Sequence, residues 1–285
     1  MFKKYSMLLF LIVGLVFFSP APSRAETGSV PPGEDGAKAA LEKSPRHHEW
    51  VKIPVPGSDV KLNTFVAYPE RKDKAPVVIV IQEVYGLTDW IRGVADTLAA
   101  DGFIAIAPDL LSGRGPGGGG TEAFPSRDDV VKAVRDLQQP EVMTMLDAVQ
   151  AYGTGLPAAT ANFATIGFCW GGGQSFNYAA HQPKLGAAVV YYGVSPPNEA
   201  LGTVRAPVLG LYGEDDARVT TTVGPASEKM EELGKVFIPH IYKGAGHGFL
   251  RAQGEREGAN LAASKEAWPA TIEFLKKNLG QGSSK

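Results

Sequence analysis

The sequence predicts a single α/β domain built on a mostly parallel, doubly wound sheet with helices on both faces. Three observations carry that expectation. Short uninterrupted apolar runs recur along the chain, as in strands covered on both faces. Segments with helical spacing lie between them. One such run passes through Gly-x-Cys-x-Gly straight into a helical segment. Strands that alternate with helices need crossover connections, which gives a parallel sheet with its site at the carboxyl ends of the strands.

Taken in order, the chain begins with a targeting segment. Lys3 and Lys4 precede an apolar run from Met7 to Phe18, and Ser23-Arg24-Ala25 follows as a small-residue cleavage site. The run is shorter than the ~20 residues that cross a bilayer. Residues 1–25 therefore read as a secretory signal peptide cut after Ala25, and the protein as exported, with the bacterial periplasm as the expected compartment. Residues 26–47, rich in Pro, Gly, Ala and charge, read as a flexible N-terminal arm, and residues 48–285 as the folded domain.

Within the domain, Trp50 to Val55 alternates like a strand before the turn at Pro56-Gly57, and Leu62 to Tyr68 predicts a second strand ending at Pro69. Val77 to Ile81, Phe103 to Ala107, Thr165 to Phe168, Ala187 to Tyr191 and Val208 to Leu211 predict buried strands, with Phe237 to Tyr242 the last. Helices are expected over Trp90 to Ala100, Asp128 to Leu137, Glu141 to Tyr152, Gly172 to His181, Pro225 to Leu233 and Lys265 to Asn278. Ser112 to Gly120 reads as a flexible surface loop, because no Gly-Lys-Ser/Thr ending makes it a phosphate cradle.

Composition narrows the function classes. Of 285 residues, 44% are hydrophobic and 20% charged, which excludes a mostly disordered, collagenous or multispanning chain. A net charge of −2 argues against nucleic-acid binding through a broad basic field. The single cysteine can form neither an internal disulfide nor a multi-cysteine metal site, so its role is solitary. The expectation is a monomer without metal or organic cofactor, free of the membrane once the signal is removed.

Thr165 to Gly173 carries the strongest signal. The strand Thr165-Ile166-Gly167-Phe168 runs into Cys169-Trp170-Gly171, the nucleophile-elbow pattern with Cys in place of Ser. At a helix N-terminus, backbone N–H groups and the helix dipole favour a thiolate. The bland alternative is a packing cysteine beside a glycine-rich turn. A nucleophile needs a base, and the base an orienting carboxylate. Downstream, Glu214, Asp215 and Asp216 end one predicted strand, and His247 lies in a glycine-rich loop after the last. The order nucleophile, acid, histidine is that of α/β-hydrolases. There the spacing Gly-x-x-Asp-x-x-Val over Gly213 to Val219 selects Asp216, with Asp215 as runner-up. His47, His48, His181 and His240 read as surface or packing residues.

The chain resembles the dienelactone hydrolases, carboxymethylenebutenolidase-like members of the α/β-hydrolase superfamily. The resemblance spans about Trp50 to Leu279 and rests on Gln82-Glu83-Val84-Tyr85-Gly86, Ala107-Pro108-Asp109-Leu110, Gly167-Phe168-Cys169-Trp170-Gly171-Gly172 and Gly244-Ala245-Gly246-His247-Gly248-Phe249. It implies a single α/β-hydrolase domain that opens small lactones or esters with a Cys169-His247-Asp216 triad. Glu83 is implied to help deprotonate the thiol, and the backbone N–H groups of Trp170 and Val84 to stabilise the oxyanion. Arg251 and Arg127 are implied to hold a substrate carboxylate, and Tyr85 to be a further substrate-binding residue. Val131 and Val134 stand where family members place aromatic pocket residues, and export is unusual for enzymes of aromatic degradation. Both leave open a periplasmic carboxylesterase, thioesterase or acyltransferase on the same residues, and in another class a redox-sensing cysteine protein without turnover.

Overall fold

The computed structural model describes residues 28–280; the expected signal peptide and its cut after Ala25 lie outside the described residues, as do residues 281–285. The chain runs through α1 (Glu34–Lys43), β1 (His48–Pro54), β2 (Lys61–Ala67), β3 (Ala75–Ile81), α2 (Asp89–Ala100), β4 (Ile104–Pro108), α3 (Arg127–Arg135), α4 (Gln139–Gly155) and β5 (Ala159–Phe168). It continues through α5 (Trp170–His181), β6 (Ala187–Tyr191), α6 (Asn198–Leu201), β7 (Val208–Gly213), α7 (Ala217–Thr220), α8 (Val223–Glu232), β8 (Phe237–Tyr242) and α9 (Ala259–Leu279).

The strands form one sheet in the order β1-β2-β4-β3-β5-β6-β7-β8. β2 pairs antiparallel with β1 and with β4, and every other pairing is parallel. The period-2 geometry of a strand divides its side chains between two cores. In β3, Val77, Ile79 and Ile81 face a core shared with α3, α4, α5 and α8. Val78 and Val80 face the opposite core, shared with α1, α2 and α9. Because both faces are covered, β3 is apolar throughout, which is why it was legible as an unbroken run. The chain leaves β3 for β4 on one side and returns to β5 on the other, so the strand order reverses there and opens a crevice at the carboxyl ends of the strands.

The predicted strands and longer helices are all present, β6 and β8 with the expected bounds and the others with shifted ends. The four-residue helices α6 and α7 are too short to show a helical period. α9 begins six residues before its expected start and carries Pro269 inside it.

Two segments differ in kind from expectation. The arm over residues 26–47 is not a solvated linker in its described part. It contains α1, whose Ala37 is buried against Gly93 of α2. Gly28 N–H donates to Asp101 Oδ1 at 2.6 Å, and Gln253 Nε2 donates to the Pro31 carbonyl at 2.8 Å. Past the helix, the buried Asp96 carboxylate accepts from Ser44 Oγ at 2.6 Å and Arg46 Nε at 2.8 Å, and meets His48 Nε2 at 2.8 Å. Beside these polar contacts, Ala37, Val30 and Leu41 pack against the core, but so few apolar positions are spread among Pro, Gly and charge that hydrophobic patterning did not reveal the docking. The loop Ser112 to Gly120 is likewise pinned. It closes through a turn at Pro116–Gly118, and Thr121 beyond it donates its N–H and hydroxyl to Asp109, each at 2.7 Å. A Cβ at Gly120 would stand 2.1 Å from Asp109 Oδ2, so this approach requires glycine.

Asp96→Ala is expected to destabilise the protein by on the order of 3 kcal/mol, because it strands the largely buried Arg46 guanidinium. Thermal denaturation with limited proteolysis checks this: the variant should melt earlier and be cut first within residues 28–47. An unchanged cleavage pattern would contradict the docking.

Candidate active site

The site grows from the turn between β5 and α5. Cys169 sits there with φ 55° and ψ −117°, a conformation that costs free energy for any residue with a side chain. The flanking glycines explain how it is held. A Cβ at Gly167 would lie 1.9 Å from the Gly171 carbonyl oxygen, and one at Gly171 would lie 2.2 Å from that of Gln82. These approaches draw the start of α5 tightly against the end of β3. Cys169 N–H donates to the Tyr191 carbonyl at 3.0 Å, which ties the turn to β6 as well. The thiol is therefore presented at the sheet edge, on the N-terminus of α5.

His247 reaches it from the loop after β8. Its Nε2 lies 3.0 Å from Cys169 Sγ, and its Nδ1 lies 2.5 Å from Asp216 Oδ2. The loop is braced by Asn260, whose buried Oδ1 accepts from Gly246 N–H at 3.0 Å. The three acidic residues after β7 have separate partners. Glu214 accepts from Gly244 N–H at 3.0 Å, Asp215 pairs with Arg256 at 2.8 Å, and Asp216 alone meets the histidine. Burial by itself would lower the His247 pKa, but Asp216 and the Cys169 sulfur outweigh it and lift the value to about 9.

Glu83 lies two residues past the end of β3 at the same edge and is almost wholly buried. Burial raises its pKa to about 7, against the opposing charges of Arg251 and His247. Its Oε2 lies 2.8 Å from Arg251 Nε. The sulfur meets His247 and Glu83 meets Arg251. Trp170 is the first residue of α5, so its N–H has no acceptor within the helix. Val84 follows Glu83 in the turn closed by Gly86 N–H on the Glu83 carbonyl at 3.2 Å.

Arg251 and Arg127 come together around Tyr85, their guanidinium carbons 5.3 and 3.6 Å from the ring centroid. Both also meet Glu34, at the start of α1: Arg251 Nη1 at 2.5 Å and Arg127 Nη2 at 3.2 Å. Sequence reasoning did not find Glu34, which lay in the segment read as a loose arm. It also passed over Tyr192, although Tyr191-Tyr192-Gly193 ends β6 at the sheet's carboxyl edge. Tyr192 is buried at φ 40°, with its ring centroid 5.2 Å from that of His247. Among the described residues, no group of three or more His, Cys, Asp or Glu is arranged to hold a metal ion.

A model of the dienelactone hydrolase family matches residues 62–279. The chain belongs to the dienelactone hydrolase family. A protein of Methylorubrum extorquens, named "Putative carboxymethylenebutenolidase", is 33% identical over 210 residues, covering 70% of this chain and 71% of its own. A protein of the same name from Salmonella typhimurium is 32% identical over 235 residues, covering 78% and 84%. A crystal structure titled as a "Putative Dienelactone Hydrolase" from Klebsiella pneumoniae superposes with a TM-score of 0.71 at 28% identity, covering 81% of this chain and 99% of that one. The eight-stranded sheet and its helices are those of this family, and the chain is a carboxymethylenebutenolidase-like hydrolase of the carboxylic ester class.

The local geometry makes a prediction separable from activity. In Asp216→Asn the neutral amide no longer favours the imidazolium, so the His247 titration should fall from about 9 by ~1 unit or more. Asp215→Asn should leave it in place. Imidazole resonances followed by NMR from about pH 5 to about pH 10, a range that brackets the ordinary and the raised histidine values, distinguish the two. Equal shifts in both variants would contradict the division of roles among the acidic residues.

Proposed function

We propose that this hydrolase opens small uncharged esters or lactones by covalent catalysis at Cys169. The observation that carries the proposal is the continuous contact from Cys169 Sγ through His247 to Asp216 on a strained turn. The sulfur attacks the carbonyl carbon, forming a C–S bond and a tetrahedral oxyanion. The Trp170 and Val84 N–H groups stabilise that oxyanion, a contribution typically worth ~10²–10³ in rate per donor. The intermediate collapses by breaking the C–O bond, and the His247 imidazolium gives its proton to the leaving oxygen. In a lactone that oxygen stays on the acyl chain as a hydroxyl. Water then passes a proton to His247 and attacks the thioester, releasing the acid and the thiolate.

Asp216 holds the imidazole in orientation and favours its protonated form. That form is needed to expel the alkoxide, and a pKa of about 9 keeps it populated at neutral pH. Glu83, lifted to about 7 by burial, can accept the thiol proton near neutrality and assists thiolate formation. The two arginines expected to hold a substrate carboxylate are both engaged by Glu34, which is why an uncharged substrate is proposed. The enzyme is proposed to act as an exported monomer in the bacterial periplasm, the location resting on the sequence of residues 1–25.

The test is hydrolysis of an uncharged aryl ester and of an uncharged lactone, followed by ultraviolet absorbance, for the parent and for Cys169→Ala. Parent turnover should fall by at least ~10³-fold in the variant. Full activity of Cys169→Ala on every substrate the parent cleaves would overturn the mechanism.

A further inference from the structure

Two guanidiniums converge on one carboxylate beside the histidine, and that carboxylate belongs to the chain itself. Arg251 Nη1 meets Glu34 Oε2 at 2.5 Å and Arg127 Nη2 meets Glu34 Oε1 at 3.2 Å. The cluster adjoins the reacting groups. A Cβ at Gly248, next to His247, would lie 3.3 Å from Arg251 Nη2, and Arg251 also touches Glu83. The Arg251 side chain is 17% exposed against 52% for Arg127, so screening weakens the second contact and leaves Arg251 as the stronger partner.

Glu34 is not a mobile counterion. Its own backbone N–H donates to the Arg251 carbonyl at 3.0 Å, and a Cβ at the preceding Gly33 would stand 3.1 Å from the same oxygen. The contacts of Gly28, Pro31, Ala37 and Asp96 described above fix the segment on either side. Glu34 also lies outside residues 62–279, the span that matches the family. A preorganised carboxylate of this kind loses little entropy on binding, so a free anion competes with it at a disadvantage.

We propose that Glu34 is a specificity-determining residue that fills an anion subsite formed by Arg127 and Arg251, making the enzyme select uncharged esters and lactones over those carrying a carboxylate. Arg127 and Arg251 would attract an acidic acyl chain through charge-assisted, bidentate contacts if they were open. With Glu34 seated, one of the two positive charges is offset, and a substrate carboxylate must displace a tethered one or remain partly unpaired. The inference rests on the hydrolase reading for its kinetic consequence, but not for the anion subsite itself.

Two readouts separate these layers. The first is the ratio of kcat/KM for 4-nitrophenyl hydrogen succinate to that for 4-nitrophenyl butyrate, whose acyl chains differ in a carboxylate against a methyl. The second is calorimetric titration with succinate. Glu34→Gln should raise the kinetic ratio by about tenfold or more. It should also gain measurable succinate binding that the parent lacks. Asp35→Asn, which removes an exposed charge from the same helix turn, controls for net charge and should do neither. Adding Arg251→Ala to Glu34→Gln should abolish both gains.

If both esters are cleaved at Cys169 but the ratio and succinate binding do not respond to Glu34→Gln, the subsite proposal is overturned and the hydrolase reading stands. If Glu34→Gln gains succinate binding while neither ester is cleaved by any form, the subsite stands and the hydrolase reading fails. An equal gain in Asp35→Asn would also overturn the proposal, by reducing it to bulk charge.

Discussion

The close approach of the β5–α5 turn to its neighbours is the constraint on which the site depends. Cys169 is held at positive φ because α5 starts within contact of the β3 backbone, and Gly167 and Gly171 alone leave room for it. From that approach follow the exposure of the sulfur at the sheet edge, the free N–H at the start of α5 and the proximity of Glu83 and Val84. Backbone strain of this size, ~1–3 kcal/mol, persists only where the surroundings over-determine it. Here β3, β6 and the helix do so together, in the interior of an eight-stranded sheet.

Around this turn the fold keeps several charges in little water. Glu83 is buried and pushed toward neutrality, and Arg251 counters part of that cost. His247 is driven the other way, toward its charged form, by Asp216 and the sulfur. Both pKa values are raised, which leaves Glu83 able to take up a proton near neutrality and His247 able to give one up. The arm adds a further charge at the same place. By bringing Glu34 to the arginines, it ties the charge of the site to a segment outside the family span.

Much of this was legible in the sequence because it depends on local pattern. The buried strands show as apolar runs, the elbow as glycines around Cys169, and the histidine loop as glycines around His247. The spacing from Gly213 to Val219 pointed at the one acidic residue that meets His247 in space. What was not legible depends on contacts between distant segments. Glu34 and Arg251 are 217 positions apart, and the segment around α1 is fixed by contacts of Gly28 with Asp101, Pro31 with Gln253 and Ser44 with Asp96. Tyr192 shows a related limit: its type and position were visible, but the positive φ that turns its ring toward His247 has no signature in a residue other than glycine.

The claim that most needs direct evidence is that Cys169 becomes acylated. Rapid-quench mass spectrometry of the intact protein with an aryl ester, followed by peptide mapping, observes this without relying on a variant. The account predicts an added acyl mass within the first turnover, located on Cys169 and lost under conditions that hydrolyse thioesters. Steady turnover with no adduct in the pre-steady state, or an adduct on any other residue, would contradict it.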